Sequence, residues 1–402
     1  MTDNFPWSGS AFGEWLTGIR RTIHRYPELA FEEQRTAEFI ADSLDELRIP
    51  FRSGIAETGI VAFVGSSPGT GPCIALRADM DALPVEEKTG LSFASEHPGR
   101  MHACGHDGHV AMLLGAAAIL SRTDVPGTAV LVFQPAEEEC GGAEQMVQNG
   151  ALNGVQAVFG GHIDRHYRVG EIAVQPGLIC AYTDTFHISI RGRGGHAARP
   201  HETADSIVVA SLLVMSIQTL VSREINPAYP SVVSVGVING GSAHNVIAEQ
   251  ALLKGTIRAT HPDVRQQIIS GLERMVKAMA ELYKVETSIE ILEGYPPVIN
   301  DRAAAEIARE AAGLTVGAEG IASQPHPSLG GEDFSFYLRH VPGCFVRFGA
   351  RKADSPNVPA HSPFFDFDER VLPIGAAFMA RVATSAMEAI RDQKWIPSNG
   401  KT

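Results

Sequence analysis

Two rhythms of apolar residues run through the first 180 positions. In EEQRTAEFIADSLDEL (32–47) they return at helical spacing, which predicts a helix with one buried face. IVAFVG (60–65), CIALRAD (73–79), AVLVFQP (129–135) and AVFGGH (157–162) are short, rich in branched residues and bounded by Gly or Pro. They predict buried strands. DGHVAMLLGAAAIL (107–120) between them predicts a further helix. Helices interleaved with apolar strands point to an α/β sheet covered on both faces.

The pattern changes near residue 184. A strand (184–191), a helix (about 203–222), two strands (231–238 and 251–260), a helix (262–283) and a strand (285–292) follow. That order, βαββαβ, is the ferredoxin-like unit and can close as a domain by itself. After EGYPPVIND (293–301) the α/β style resumes. Helices are predicted near 301–313 and 370–392, with a strand around CFVRFG (344–349). We expect a two-domain α/β protein. A mixed-sheet domain is made of 1–182 and 294–402, and a ferredoxin-like α+β domain of 183–293 is inserted into it. No internal repeat or low-complexity segment interrupts this scheme.

Composition agrees with a globular protein of that size. The chain has 402 residues, 44% of them hydrophobic, and a mean hydropathy of zero. Its 33 basic and 46 acidic side chains leave a formal charge of −13. Nucleic acid and anionic membranes, which select a basic footprint, are poor matches as main partners. A small anionic substrate needs only a local cation or two. Five cysteines (Cys73, Cys104, Cys140, Cys180, Cys344), an odd number with no Cys-x-x-Cys pair, favour a reducing, cytoplasmic compartment over a stapled secreted fold. The start, MTDNFPWSGSAFGEW, lacks the basic, apolar and cleavage regions of a signal peptide. The longest apolar stretch, ADSIVVASLLVMSIQTL (204–220), is broken by serines and is short for a membrane span.

Candidate chemistry gathers where an α/β sheet binds ligands, beyond the carboxyl ends of its strands. Asp79 and Asp81 follow one strand, Glu137, Glu138 and Glu139 another, and His162 a third. MHACGHDGH (101–109) precedes a helix, and PAHSPFF (359–365) adds His361. Taken singly, each has a plain alternative. A Cys-x-His pair is a weak signal, a run of glutamates is usually a solvated face, and a histidine in an apolar strand is usually a core residue. Their convergence favours a metal site, since thiolate and imidazole suit zinc and carboxylates suit manganese. If the chain turns after Pro135, one of the adjacent Glu137 and Glu138 can bind metal while the other faces water. That is the pairing metal-assisted hydrolysis requires. Two competing motifs are weaker. GSSPG (65–69) leads into a strand instead of the helix a nucleophile elbow needs. GRGGHA (192–197) opens no helix as a dinucleotide fingerprint would.

These residues lie in motifs that resemble the amidohydrolase branch of the metallo-aminoacylase and carboxypeptidase superfamily. That branch holds hippurate hydrolases, N-acyl-amino-acid amidohydrolases and auxin-conjugate hydrolases. The matching stretches include IHRYPELAFEE (23–33), LRADMDALPVEE (76–87), MHACGHDGH (101–109), FQPAEE (133–138), GRGGHAARPH (192–201), HNVIAEQ (244–250), GTIRAT (255–260), GEDFSFY (331–337) and HSPFFDFDE (361–369), in family order over nearly the whole chain. The resemblance implies two divalent ions per subunit, manganese or zinc with cobalt or nickel as further candidates, held by Cys104, His106, Glu138, His162 and His361. It implies Glu137 as the general base that activates water, and Asp81 as an acid supporting the ligands from behind. It implies a homodimer formed through the inserted domain, in which His196 reaches the partner's site as an oxyanion donor. Asn245 and Arg258 match positions that touch the substrate carboxylate, a task suited to the fork of an arginine.

The sequence departs from the family where Glu139 and Cys140 follow Pro-Ala-Glu-Glu, around GGHIDRHYRVG, and at Ala248 where proline is common. The expected activity is hydrolysis of the amide bond of an N-acyl amino acid or related small conjugate. A dipeptidase or carboxypeptidase with the same site, and a binding protein that has lost the chemistry, are the alternatives.

Overall fold

The computed structural model describes residues 9–66, 69–138, 141–353 and 358–397; the centre of GSSPG, and Glu139 with Cys140, lie outside the described residues. The chain divides into two compact units. The first comprises residues 1–179, 298–325 and 333–402, and the second residues 180–297 and 326–332.

The first unit is built on an eight-stranded mixed sheet. Its centre is the strand Cys73–Asp79, which pairs in parallel with Thr128–Gln134 on one side and Ala157–Arg168 on the other. Gly343–Arg351 extends the parallel part. The hairpin Phe51–Ile55 and Gly59–Gly65 closes one edge antiparallel. Every residue of Cys73–Asp79 and Thr128–Gln134 is buried, as expected of strands covered on both faces.

The helix His106–Leu120 is also buried all round except at Ile119. Such a helix has no polar face to show. It packs against Val371–Arg391 so closely that a Cβ on Gly115 would stand 2.7 Å from the Ala376 methyl. The helix Ser10–Arg25 lies against it as well.

The second unit is a four-stranded antiparallel sheet in the order Ser231–Gly240, Gln250–Ala259, Tyr182–Arg191, Glu286–Glu293. With the helices Ser206–Thr219 and Pro262–Tyr283 this is a ferredoxin-like α+β domain inserted into the α/β domain. Phe186, Ile188 and Ile190 point into the helix-covered core, and Thr185, Ser189 and Arg191 alternate to the other face.

Two expectations need correction. The strand AVFGGH does not stop at His162 but runs on to Arg168, so His162 sits within a strand. The apolar stretch after Ala204 does not end at residue 220. A π-helical turn carries it to Glu224, and Ser206–Glu224 reaches 19 residues, long and apolar enough for a membrane span by length and composition. Val209, Ala210, Leu213, Ile217 and Leu220 nevertheless belong to the core of the second unit.

Candidate metal centre

Asp79 closes the central strand and Asp81 follows it, both fully buried. The Arg77 guanidinium lies 2.6 Å from Asp79 and 2.7 Å from Asp333, with its Nε donating to Gln134 at 2.7 Å. Burial works to raise the Asp79 carboxyl; Arg77, then His106 and His109, outweigh it and hold the carboxyl well below its usual range. The Ile163 amide donates to Nε2 of His109 at 2.9 Å, so the proton of that ring is on Nδ1, which donates to Asp79. Both nitrogens of His109 are thereby engaged. It braces the cluster and does not offer a ligand atom.

Gly105, with φ of +98°, turns the chain into the helix His106–Leu120. That left-handed conformation suits glycine. Nδ1 of His106 lies 3.0 Å from the backbone carbonyl of Asp81 and 3.1 Å from its Oδ1, so Nδ1 carries the proton. Nε2 of His106 is buried and has no hydrogen-bond partner. Nδ1 of His162 donates to the carbonyl of Ile163 at 2.7 Å, which leaves Nε2 as a bare lone pair 3.3 Å from Sγ of Cys104. His361 brings Nε2 to 3.2 Å from Oε1 of Glu138.

These donors form overlapping groups: Cys104, His106 and His162; Cys104, Glu138 and His361; His106, Glu137 and Glu138. Within each group the candidate ligand atoms lie within 4.8 Å of one another. Burial, and after it the Glu138 charge, push the Cys104 thiol well up; burial holds the His162 imidazole neutral. A bound cation reverses the thiol's preference, since a coordinating thiol is deprotonated. A thiol, three imidazoles and carboxylates, with the buried Nε2 of His106 left without a partner, fit a divalent metal of borderline softness.

The two adjacent glutamates converge because the strand Thr128–Gln134 ends before them and Ala136 takes a left-handed φ of +55°. Glu137 is buried, and the Asp333 amide approaches its Oε1 at 3.4 Å. Asp333 itself is fixed by Arg77, by the Gln134 side-chain amide at 2.8 Å and by the Ala143 amide at 2.9 Å.

Sequence reasoning missed the layer beneath. Asp107, next to His106, accepts from Nε of Arg20 and Nδ1 of His24, each at 2.8 Å. All three are fully buried. Arg20 also reaches Asp366 and Glu369 at 3.1 Å each. His102 is buried with neither ring nitrogen hydrogen-bonded, and burial pushes it down to about 4, so it is neutral at neutral pH. The signal available was the density of ionisable residues in MHACGHDGH. Nothing in it told supporting residues from ligands.

His196, Asn245 and Arg258 belong to the second unit. His196 is exposed and pairs with Val246 across a two-stranded ribbon, and the Ala197 amide donates to the carbonyl of Asn245 at 3.1 Å. Arg258 is half-buried on Gln250–Ala259, with Nη1 bonded to Thr256 Oγ1 and to the Ile257 carbonyl at 3.1 Å.

The model of peptidase family M20/M25/M40 matches residues 75–385. The chain belongs to that family. The M20-family relatives include the IAA-amino acid hydrolase ILR1-like 4 of Arabidopsis thaliana, 39% identical over 397 residues, covering 97% of this chain and 90% of the plant protein. The N-acetyl-L-cysteine deacetylase of Bacillus subtilis is 39% identical over 391 residues, covering 97% and 92%. Among solved structures, the Bacillus subtilis YXEP protein, described as a dinuclear metal binding peptidase from the M20 family, superposes with a TM-score of 0.81. It is 34% identical, over 94% of this chain and 99% of its own. The chain is accordingly a hydrolase of the M20 metalloenzyme class.

Proposed function

We propose that this M20 hydrolase cleaves the amide bond of N-acyl amino acids or related small conjugates, releasing a carboxylic acid and a free amino acid. The observation that carries the reading is the orphaned, buried Nε2 of His106 inside a ring of further donors, with Glu137 and Glu138 beside it. Relatives named for conjugated and acetylated amino acids set the substrate class.

Cys104, His106, Glu138, His162 and His361 would hold two divalent ions, manganese or zinc, with cobalt or nickel as further candidates. When bound, these supply Lewis acidity for the scissile carbonyl and for water. Glu137 takes a proton from water as its oxygen adds to the carbonyl carbon. It then returns the proton to the leaving nitrogen as the C–N bond breaks. His196 of the partner subunit donates a hydrogen bond to the oxyanion, a contribution of about 3 kcal/mol where such a donor has been removed elsewhere. Arg258 and Asn245 hold the substrate carboxylate. Among the described residues Arg258 forms no ion pair, which leaves its fork available.

The proposed homodimer has physical support in the second unit. Ile207, Val208, Leu212 and Met215 leave an apolar stripe exposed on Ser206–Thr219, and Val237 and Ile238 do the same on the edge strand Ser231–Gly240. A free edge and an exposed apolar stripe are what a second copy would cover. A cytoplasmic setting accords with the four described cysteines, all buried and, among the described residues, joined in no disulfide.

The test is a panel of acylated amino acids and dipeptides on protein reconstituted with manganese or zinc. Acyl-amino acids should turn over fastest. Glu137→Gln should lower turnover about 10²- to 10⁴-fold with metal content unchanged. A Gln variant that keeps its activity would refute the assignment of the base, and preference for dipeptides would favour the peptidase alternative.

A further inference from the structure

Glu33 is a carboxylic acid with no exposed surface, immediately before the helix Gln34–Glu46. Its two oxygens serve two distant parts of the first unit. Oε2 accepts the hydroxyl proton of Thr58 at 2.7 Å, and Oε1 accepts the backbone amide of Ala136 at 3.0 Å. Thr58 is itself buried and held by the hairpin turn between Phe51–Ile55 and Gly59–Gly65, where Ala56 and Glu57 are both left-handed.

Ala136 lies two residues past the end of the strand Thr128–Gln134. On a continued strand, Glu137 and Glu138 would point to opposite faces. Instead, their carboxylates lie within 4.8 Å of each other and of His106. The left-handed turn at Ala136 breaks the alternation. A residue with a Cβ avoids that conformation unless its surroundings hold it there. Past the end of the strand, the amide of Ala136 has lost the ladder and needs an acceptor. Glu33 is that acceptor.

We propose that Glu33 is a positioning residue for catalysis, which fixes the left-handed turn at Ala136 and so aims Glu137 and Glu138 into one cluster. The inference rests on the reading of Glu137 as base and adds to it a residue 104 positions away in the chain. The work of Glu33 is hydrogen bonding and does not need its charge. Burial pushes its carboxyl up to about 7, where the neutral form is accessible. A neutral side chain of the same shape serves as well, with Oε1 accepting from Ala136 and the other terminal atom donating to Thr58.

The experiment compares Glu33→Ala, Glu33→Gln, Thr58→Val and the double variant Glu33→Ala/Ala136→Gly with the unaltered enzyme, at saturating manganese, with folding followed by circular dichroism. Glu33→Ala should lower kcat at least tenfold with KM within twofold. Glu33→Gln should stay within threefold of the unaltered kcat. Glycine adopts the left-handed turn without help, so the double variant should regain at least threefold over Glu33→Ala. Because Glu138 rides on the same turn, manganese affinity from competition with a chelator should fall at least tenfold in Glu33→Ala and not in Glu33→Gln. The inference is overturned if Glu33→Ala keeps kcat within twofold while Glu137→Gln is inactive, or if Glu33→Gln is as impaired as Glu33→Ala. Should Glu137→Gln remain active, the base assignment fails instead, and the chelator measurement decides for or against Glu33. If Glu33→Ala does not fold, Thr58→Val decides. A kcat at least threefold lower supports the strut, and an unchanged one removes it.

Discussion

Asp81 grips His106 at a single nitrogen: its carboxylate Oδ1 lies 3.1 Å and its backbone carbonyl 3.0 Å from Nδ1 of the ring. Its other oxygen takes the amide of Glu138 at 3.0 Å. One acid thus sets the tautomer of one proposed ligand and the backbone of another. Loss of such support typically weakens metal binding about 10- to 100-fold. Asp81→Ala should do so in a chelator-competition titration, with the fold retained. An affinity equal to that of the unaltered protein would remove Asp81 from the site.

Arg258 gives a prediction about substrate, not metal. Its guanidinium is half-buried, and burial lowers its pKa without bringing it near neutrality. A charge-assisted hydrogen bond contributes about 1.5–3 kcal/mol, so Arg258→Ala should raise KM about 10- to 100-fold for acyl-amino acids. Arg258→Lys keeps the charge but not the fork and should recover only part of the loss. The discriminating measurement is the same pair of variants on a substrate whose carboxylate is amidated, where the penalty should vanish.

The proposed sharing of the active site across a dimer is tested by complementation. A dimer of one His196→Ala subunit and one Glu137→Ala subunit contains one site with both residues intact if His196 crosses to its partner. Mixed dimers, separated by differential tags, should regain activity that neither parent dimer shows. Inactive mixed dimers of confirmed composition would place His196 outside the partner's chemistry.

Glu33 makes a prediction for stability as well. Burial raises its carboxyl from 4.5 to about 7 in the folded protein. The folded state therefore binds the proton more tightly than the unfolded state. The stability this contributes is fully present below pH 4.5 and is lost as pH rises through 7. Glu33→Gln removes that dependence. Between pH 4.5 and pH 8 the variant should gain on the unaltered protein by up to about 3 kcal/mol in urea unfolding, from 1.36 kcal/mol per pKa unit. A constant difference across that range would show that Glu33 titrates alike in both states.

Much of the fold was readable because its signals are local. The strands at 73–79 and 129–135 open on the apolar runs CIAL and AVLVF, and 184–191 alternates cleanly between core and open face. The helix Ser10–Arg25 was not recognised, because its buried face carries Arg20 and His24 among Phe12, Leu16, Ile19 and Ile23. A periodicity of apolar residues does not register charges that are buried by pairing. For the site, residue types and spacing were enough to nominate Cys104, His106, Glu137, Glu138, His162 and His361. Asp107 and Glu33 were not nominated. An acid beside the start of a helix reads as a favourable surface charge. Only the tertiary fold shows Glu33 between a hairpin turn and the end of a strand.

The amide of His361 donates to the carbonyl of Ala103 at 2.8 Å, joining the last proposed ligand to the first stretch of the site. The other four are supplied by residues 104 to 162, and His361 follows after nearly two hundred more. No growing chain shorter than 361 residues carries the full donor set. If the proposed ligands hold the metal, a cation captured earlier in synthesis would meet an unfinished cage, and full loading would follow translation of His361. With these five as ligands, retention of metal would double as a report that synthesis had passed His361.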